Sequence, residues 1–179
     1  MPENTTGYTR PAKVFHWLTV LGVICAISLG LLMMNLEGPL QSRLFDLHRS
    51  FGALVLGLTA LRLGWRVFHK PPPLPAGLPA WQHQVSQLVH WALYGLLFIT
   101  PLLGWAGTSA YRAPISVFGL FFLPPIVGED RALSEKLLGL HGLAMLALSA
   151  LITMHVGAAL FHHFVRKDGV LARMWPWRI

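Results

Sequence analysis

The sequence predicts an all-α integral membrane protein, a four-transmembrane-helix bundle with both termini cytoplasmic. Three observations carry that prediction. Apolar residues make up 54% of the 179. Charged residues make up 12%, against roughly 25% in soluble domains. Mean hydropathy is +0.55. So little polar side chain cannot coat a globule in water, which excludes disordered, collagen-like and ordinary cytosolic classes. A single membrane domain spanning 1–179 is the expected organisation, without internal repeats.

Each span follows from its apolar run, since a crossing needs roughly 20 mostly apolar residues. The first, 14–34, carries no charge and lacks a small-residue cleavage site, so it reads as a retained helix. The second, 44–67, is the least apolar; Arg49 and Arg62 lie inside its ends, where their stems reach the interface. The third is 85–107. The fourth, 137–165, is charge-free over 29 residues and longer than a bilayer requires, so one end should project. The segment from Ile115 to Leu123, followed by Pro124 and Pro125, is too short to cross and reads as interfacial or re-entrant. Pro71, Pro72, Pro73, Pro75 and Pro79 make the second connection stiff and extended.

An even number of spans puts both termini on one side. Nine bases lie on that side (Arg10, Lys13, Arg62, Arg66, Lys70, Arg166, Lys167, Arg173 and Arg178) and five on the other. The excess marks the terminus side as cytoplasmic. The net charge of +7 therefore reads as topology signal, and no nucleic-acid partner is expected. One cysteine, Cys25, excludes an intrachain disulfide, a CxxC zinc site, an iron–sulfur cluster of the chain's own and covalent c-type haem.

The nine histidines carry the functional signal. Ionisable groups within spans are functional candidates by default. Five fall at two depths: His48 and His141 near the outer interface, and His16, His90 and His155 near the inner one. On the fourth span, fourteen residues separate His141 from His155, ~21 Å along the axis and about 40° around it. One face of one helix therefore offers an imidazole at each level. Axial imidazoles from facing helices are how a bundle holds b-type haem without cysteine. Gly52, Gly139, Gly142, Gly157, Ala158 and Ala159 supply room beside them. Depth alone leaves His16 and His90 as alternatives at the inner level. His162, two turns after His155, suits a polar contact to a quinone carbonyl or a haem propionate. Arg49 suits an outer propionate or plain snorkelling, and His69 and His83 read as solvated loop residues. Histidines serving only helix contacts, or a non-haem metal site, are the competing readings; both predict a colourless protein.

With these residues placed, nearly the whole chain resembles the prokaryotic cytochrome b561 family. The resemblance rests on His16-Trp17, Leu47-His48, the Pro-rich loop, Val89-His90, His141, His155 and the tail from His162 to Pro176. It implies two non-covalent b haems, the outer on His48 and His141 and the inner on His16 and His155, with His90 beside the inner one. It further implies a bacterial inner-membrane electron conduit between the periplasmic face and the quinone pool. In some members this is a superoxide:ubiquinone oxidoreductase, superoxide or another periplasmic one-electron donor feeding the outer haem and ubiquinone accepting near His162. Where relatives place a lysine near the quinone, this chain has Ala76, Gly77 and Leu78. Steering of superoxide would use a local cluster such as Arg43, Arg49 and Arg112. The alternative is a haem-b relay and membrane-anchor subunit of a dehydrogenase or hydrogenase, docked through the 111–135 loop.

Overall fold

The computed structural model describes residues 7–73 and 79–175. Pro75, Ala76, Gly77 and Leu78, and Pro176 of the tail, lie outside the described residues. Four long helices, α1 (Arg10–Met33), α2 (Gly38–Phe68), α3 (Ala80–Ala110) and α4 (Arg131–Phe161), are each long and apolar enough to span a membrane. They form two antiparallel hairpins, α1 with α2 and α3 with α4, joined through α2 and α3. A π-helical turn (His162–Arg166) and a short α5 (Val170–Met174) follow α4.

The helices run past the apolar spans because hydropathy stops at the first charge whereas backbone hydrogen bonding does not. Proline stands in the first turn of α1 and of α2, where its missing N–H is no loss. The side chain of Asp130 caps α4 by accepting from Leu133 N–H at 2.9 Å. Excess length is shared, since α2, α3 and α4 each have 31 residues, or about 46 Å against a hydrocarbon core of about 30 Å. The fourth spanning segment runs through α4 and the π-turn to Arg166 and so contains the expected 137–165, and His83 lies in the first turn of α3 rather than in a loop.

The core is a waist halfway along the bundle. Val23 of α1, Val55 of α2, Leu93 and Leu97 of α3 and Leu148 of α4 pack there, with Leu148 seven residues from both His141 and His155. Most other large apolar side chains face outward, as they do when lipid is the solvent. Close approach of α1 to α2 depends on Gly22, where a Cβ would stand 3.0 Å from the Val55 side chain.

The segment 115–123, expected to be too short to cross, is a β-hairpin and is not among the four spanning helices. Strand β1 (Ile115–Val117) pairs antiparallel with β2 (Phe121–Leu123). Phe118 and Gly119 turn it with φ of 51° and 74°, the positive values that a tight hairpin turn demands. Ser50 of α2, 1% exposed, fastens it. The Ser50 hydroxyl shares its one proton between the Asp46 carbonyl of its own helix at 2.8 Å and the Ser116 carbonyl at 3.0 Å, and accepts from Phe118 N–H at 2.9 Å.

The described terminal segments meet at the opposite end of the bundle. Tyr8 N–H donates to the Arg173 carbonyl, and the Trp17 indole donates to the Met174 carbonyl at 2.9 Å.

Ser50→Ala should cost about 1 kcal/mol, because it removes the hydrogen bonds that hold the half-buried Ser116 carbonyl and the Phe118 N–H to α2. Thermal unfolding in detergent checks this, and an unchanged midpoint would show that the hairpin is not fastened by Ser50.

Candidate functional site

At the outer level, His48 of α2 and His141 of α4 face each other with ring centres 5.9 Å apart and planes at 86°. Each ring is tied inside its own hairpin. His48 Nδ1 donates to the Ala26 carbonyl of α1 at 2.9 Å, and His141 Nδ1 donates to the Thr100 carbonyl of α3 at 2.8 Å. A carbonyl only accepts, so the proton sits on Nδ1 and Nε2 keeps its lone pair. This is the tautomer of a metal-ligating imidazole with its outer hydrogen bond in place.

The same local device makes both ties. Four residues after each carbonyl comes a glycine, Gly30 after Ala26 and Gly104 after Thr100. A helical side chain covers the turn N-terminal to its own Cα, so glycine there leaves the carbonyl open to a second donor. A Cβ at Gly30 or at Gly104 would stand 3.1 Å from the imidazole of His48 or His141. Pro101, next to Thr100, removes one intrahelical N–H from the same turn. The reading of Gly52, Gly139, Gly142 and Gly157 as room-givers concerns a different role. A Cβ on any of these four meets nothing within 4 Å.

The inner level holds three imidazoles. His16 of α1 and His155 of α4 have ring centres 6.5 Å apart, and His90 of α3 stands 5.2 Å from His155. His90 Nδ1 donates to Ser86 of its own helix at 2.6 Å. His16 Nδ1 is buried without a hydrogen-bond partner among the described residues. Two imidazoles bound through Nε2 on opposite sides of one metal ion, at roughly 2 Å per bond, have ring centres roughly 6–6.5 Å apart. The separations of His48/His141 and His16/His155 suit that arrangement, and that of His90/His155 is short for it. Among the described residues no group of three His, Cys, Asp or Glu side chains forms a metal site. The donor chemistry is that of imidazole pairs.

Other predicted residues have partners of their own. Arg49 pairs with Asp46 at 3.3 Å and lies over the Phe45 ring, while Arg112 pairs with Glu129 at 2.7 Å. The predicted cluster of Arg43, Arg49 and Arg112 therefore presents little free positive charge. His69 stacks on Trp65 at 3.8 Å. His162 does not continue α4 but opens the π-turn, and its Nδ1 donates to Asp168, a partner that sequence separation hid. Partial burial works against the Asp168 carboxylate. The hydrogen bonds from His162 and Val170 N–H and the charges of His162 and Arg166 outweigh it and hold the pKa below the ordinary carboxylate value.

Spanning helices that bring imidazoles together in pairs at two levels, the outer pair with Nδ1 tied and Nε2 free, define the class of b-type membrane cytochromes. The prokaryotic cytochrome b561 family matches residues 7–177. The chain is 36% identical over 166 residues to cytochrome b561 homolog 2 of Escherichia coli strain K12, covering 91% of this chain and 88% of that protein. It is 32% identical over 177 residues to cytochrome b561 homolog 1 of the same organism, covering 96% and 98%. A protein of Yersinia pestis named probable superoxide oxidase CybB is 29% identical over 161 residues, covering 90% and 91%. The chain belongs to the prokaryotic cytochrome b561 family and is a multi-pass, haem-b membrane electron-transfer protein.

Gly104→Ala should push His141 off the Thr100 carbonyl and weaken haem binding at the outer level about 10-fold or more, as loss of a supporting hydrogen bond does. Haem per chain by pyridine haemochrome checks this against Gly64→Ala, an exposed α2 position where the added methyl meets nothing. Equal haem content in the two variants would remove Gly104 from the site.

Proposed function

We propose that the chain holds two non-covalent b haems and passes electrons from a one-electron donor at the outer face, superoxide, to ubiquinone at the inner face. His48 and His141 are the outer axial ligands, and His16 and His155 the inner ones. His90 stands beside the inner haem. The observation that carries this reading is the pairing of imidazoles at two levels, each pair at ligand-to-ligand spacing. The relative named probable superoxide oxidase supports the choice of donor. The protein resides in the bacterial inner membrane with both termini cytoplasmic, the side that the basic residues mark.

Bound haem supplies the one-electron redox chemistry, and the chain's residues decide how it is used. His48 and His141, tied by their Nδ1 protons, would hold the outer haem iron through both Nε2 atoms. That favours electron transfer at the haem edge over oxygen binding. The apolar waist at Val23, Val55, Leu93, Leu97 and Leu148 keeps water out between the two levels. Asp168 fixes the His162 ring, so that its Nε2 can meet a quinone carbonyl and hold a proton for the reduced oxygen. Two superoxide anions give one electron each and leave as oxygen, while one quinone takes two electrons and two protons. Arg49 and Arg112 are engaged with carboxylates, so Arg43 is the basic residue left to attract the anion from the predicted cluster.

A second reading is a haem-b relay and anchor subunit. The observation favouring it is the apolar hairpin, where Leu120 is 80% and Phe122 68% exposed.

Purified haem-loaded protein, given superoxide and a short-chain ubiquinone, should form quinol above the uncatalysed background, and His48→Ala should abolish the gain. Absence of the gain with copurification of a soluble dehydrogenase would favour the second reading.

A further inference from the structure

The β-hairpin carries an apolar edge on its side away from the helices. No formal charge occurs between Arg112 and Glu129. Strand β1 packs on α2 and buries Ile115 and Val117. Strand β2 packs on β1. Leu120, just before β2, is 80% exposed, and Phe121 and Phe122 within it are 54% and 68% exposed. These side chains lie beyond β1, apart from the histidine pairs.

Depth decides what covers that edge. The Phe118 N–H at the turn is held by Ser50, 2.9 Å away. Ser50 lies twelve residues into α2 from Gly38, about 18 Å below the outer end of that helix. The hairpin therefore hangs from the helix ends toward the waist, its turn level with the outer imidazole pair. Asp46 and Arg49, paired with each other, are the last charges on α2 before Arg62. The turn stands beside the apolar stretch that begins just below them. The neck of the hairpin carries groups that favour a lipid–water boundary. Arg112 pairs with Glu129 at 2.7 Å, Arg131 lies over the Tyr111 ring, and the Trp105 indole donates to the Pro124 carbonyl. A soluble protein resting on the helix ends does not reach side chains at that depth, whereas acyl chains surround them. An edge strand in water is ordinarily blunted by charge or proline, and Leu120 to Leu123 offer neither. Ser50 serves the N–H of the turn where lipid could not.

We propose that the β-hairpin is a membrane anchor whose Leu120, Phe121 and Phe122 insert among the acyl chains of the leaflet at the outer end of the bundle. Interfacial elements reach about 5–10 Å into the boundary of headgroups and acyl chains in this way. The anchor does not depend on which donor or acceptor the protein serves. Full-length, haem-loaded protein in phosphatidylcholine nanodiscs tests it. In a Cys25→Ala background, Leu120→Cys should react with a water-soluble maleimide about 10-fold or more slowly than Glu37→Cys, because a thiol among acyl chains stays protonated. Glu37 is exposed at the outer start of α2. The Leu120→Cys rate should match that of Leu21→Cys on the exposed side of α1. Should a variant fail to fold, the unsubstituted protein supplies a second readout. Phosphatidylcholine with a diazirine in its acyl chain should crosslink to residues 120–122. Labelling of Leu120→Cys as fast as Glu37→Cys would overturn the proposal and leave the edge to a soluble partner. Slow labelling without a lipid crosslink would overturn it as well, and would assign the edge to a second copy of the chain.

Discussion

A buried imidazole in a lipid-facing bundle needs a partner for its N–H, because no water is at hand to satisfy it. Here the partner at the outer level is a carbonyl on the neighbouring helix of the same hairpin, opened by a glycine one turn further on. His48 on Ala26 with Gly30, and His141 on Thr100 with Gly104, are two uses of one device. Each tie joins the two helices of a hairpin and sets their separation, since a methyl at either glycine would collide with the ring. Each also fixes the tautomer, leaving Nε2 free on the other side of the ring. The hairpins then meet where the two rings do, 5.9 Å apart. Helix packing and ligand chemistry thus share the same two hydrogen bonds.

The inner level is built differently. His16 has no partner for its buried Nδ1 among the described residues, His90 bonds back to its own helix, and both crowd His155. Around them the bundle end is rich in arginine and poor in acid. A rigid, internally satisfied outer site and a cationic inner end separated by an apolar waist suit a protein whose two faces handle different reactants. The outer end carries its bases in pairs with acids, Arg49 with Asp46 and Arg112 with Glu129. The inner end leaves Arg62 and Arg66 to aromatic faces.

Four spans, two histidine depths and the shared face of His141 and His155 were legible in the sequence, because hydropathy and helical period are local properties. The glycines that matter most to the outer pair were not. Gly30 and Gly104 lie 18 and 37 residues from the histidines they serve, and no pattern within one helix announces a contact between two. The glycines adjacent to the histidines drew attention instead, and they face open space. Phe118 and Gly119, both at positive φ, made a hairpin of a segment that reads as one apolar run. The His162–Asp168 pair arises from a π-turn, which a 3.6-residue period cannot foresee.

The central claim, two imidazole pairs each holding one haem, is tested most directly by pyridine haemochrome quantification on purified wild type beside His48→Ala and His16→Ala. Two low-spin b haems per wild-type chain and one in each variant are expected, the surviving haem differing between the variants in its reduced absorption band. Folded protein without haem, or equal loss of both haems in a variant that remains folded, would contradict the pairing.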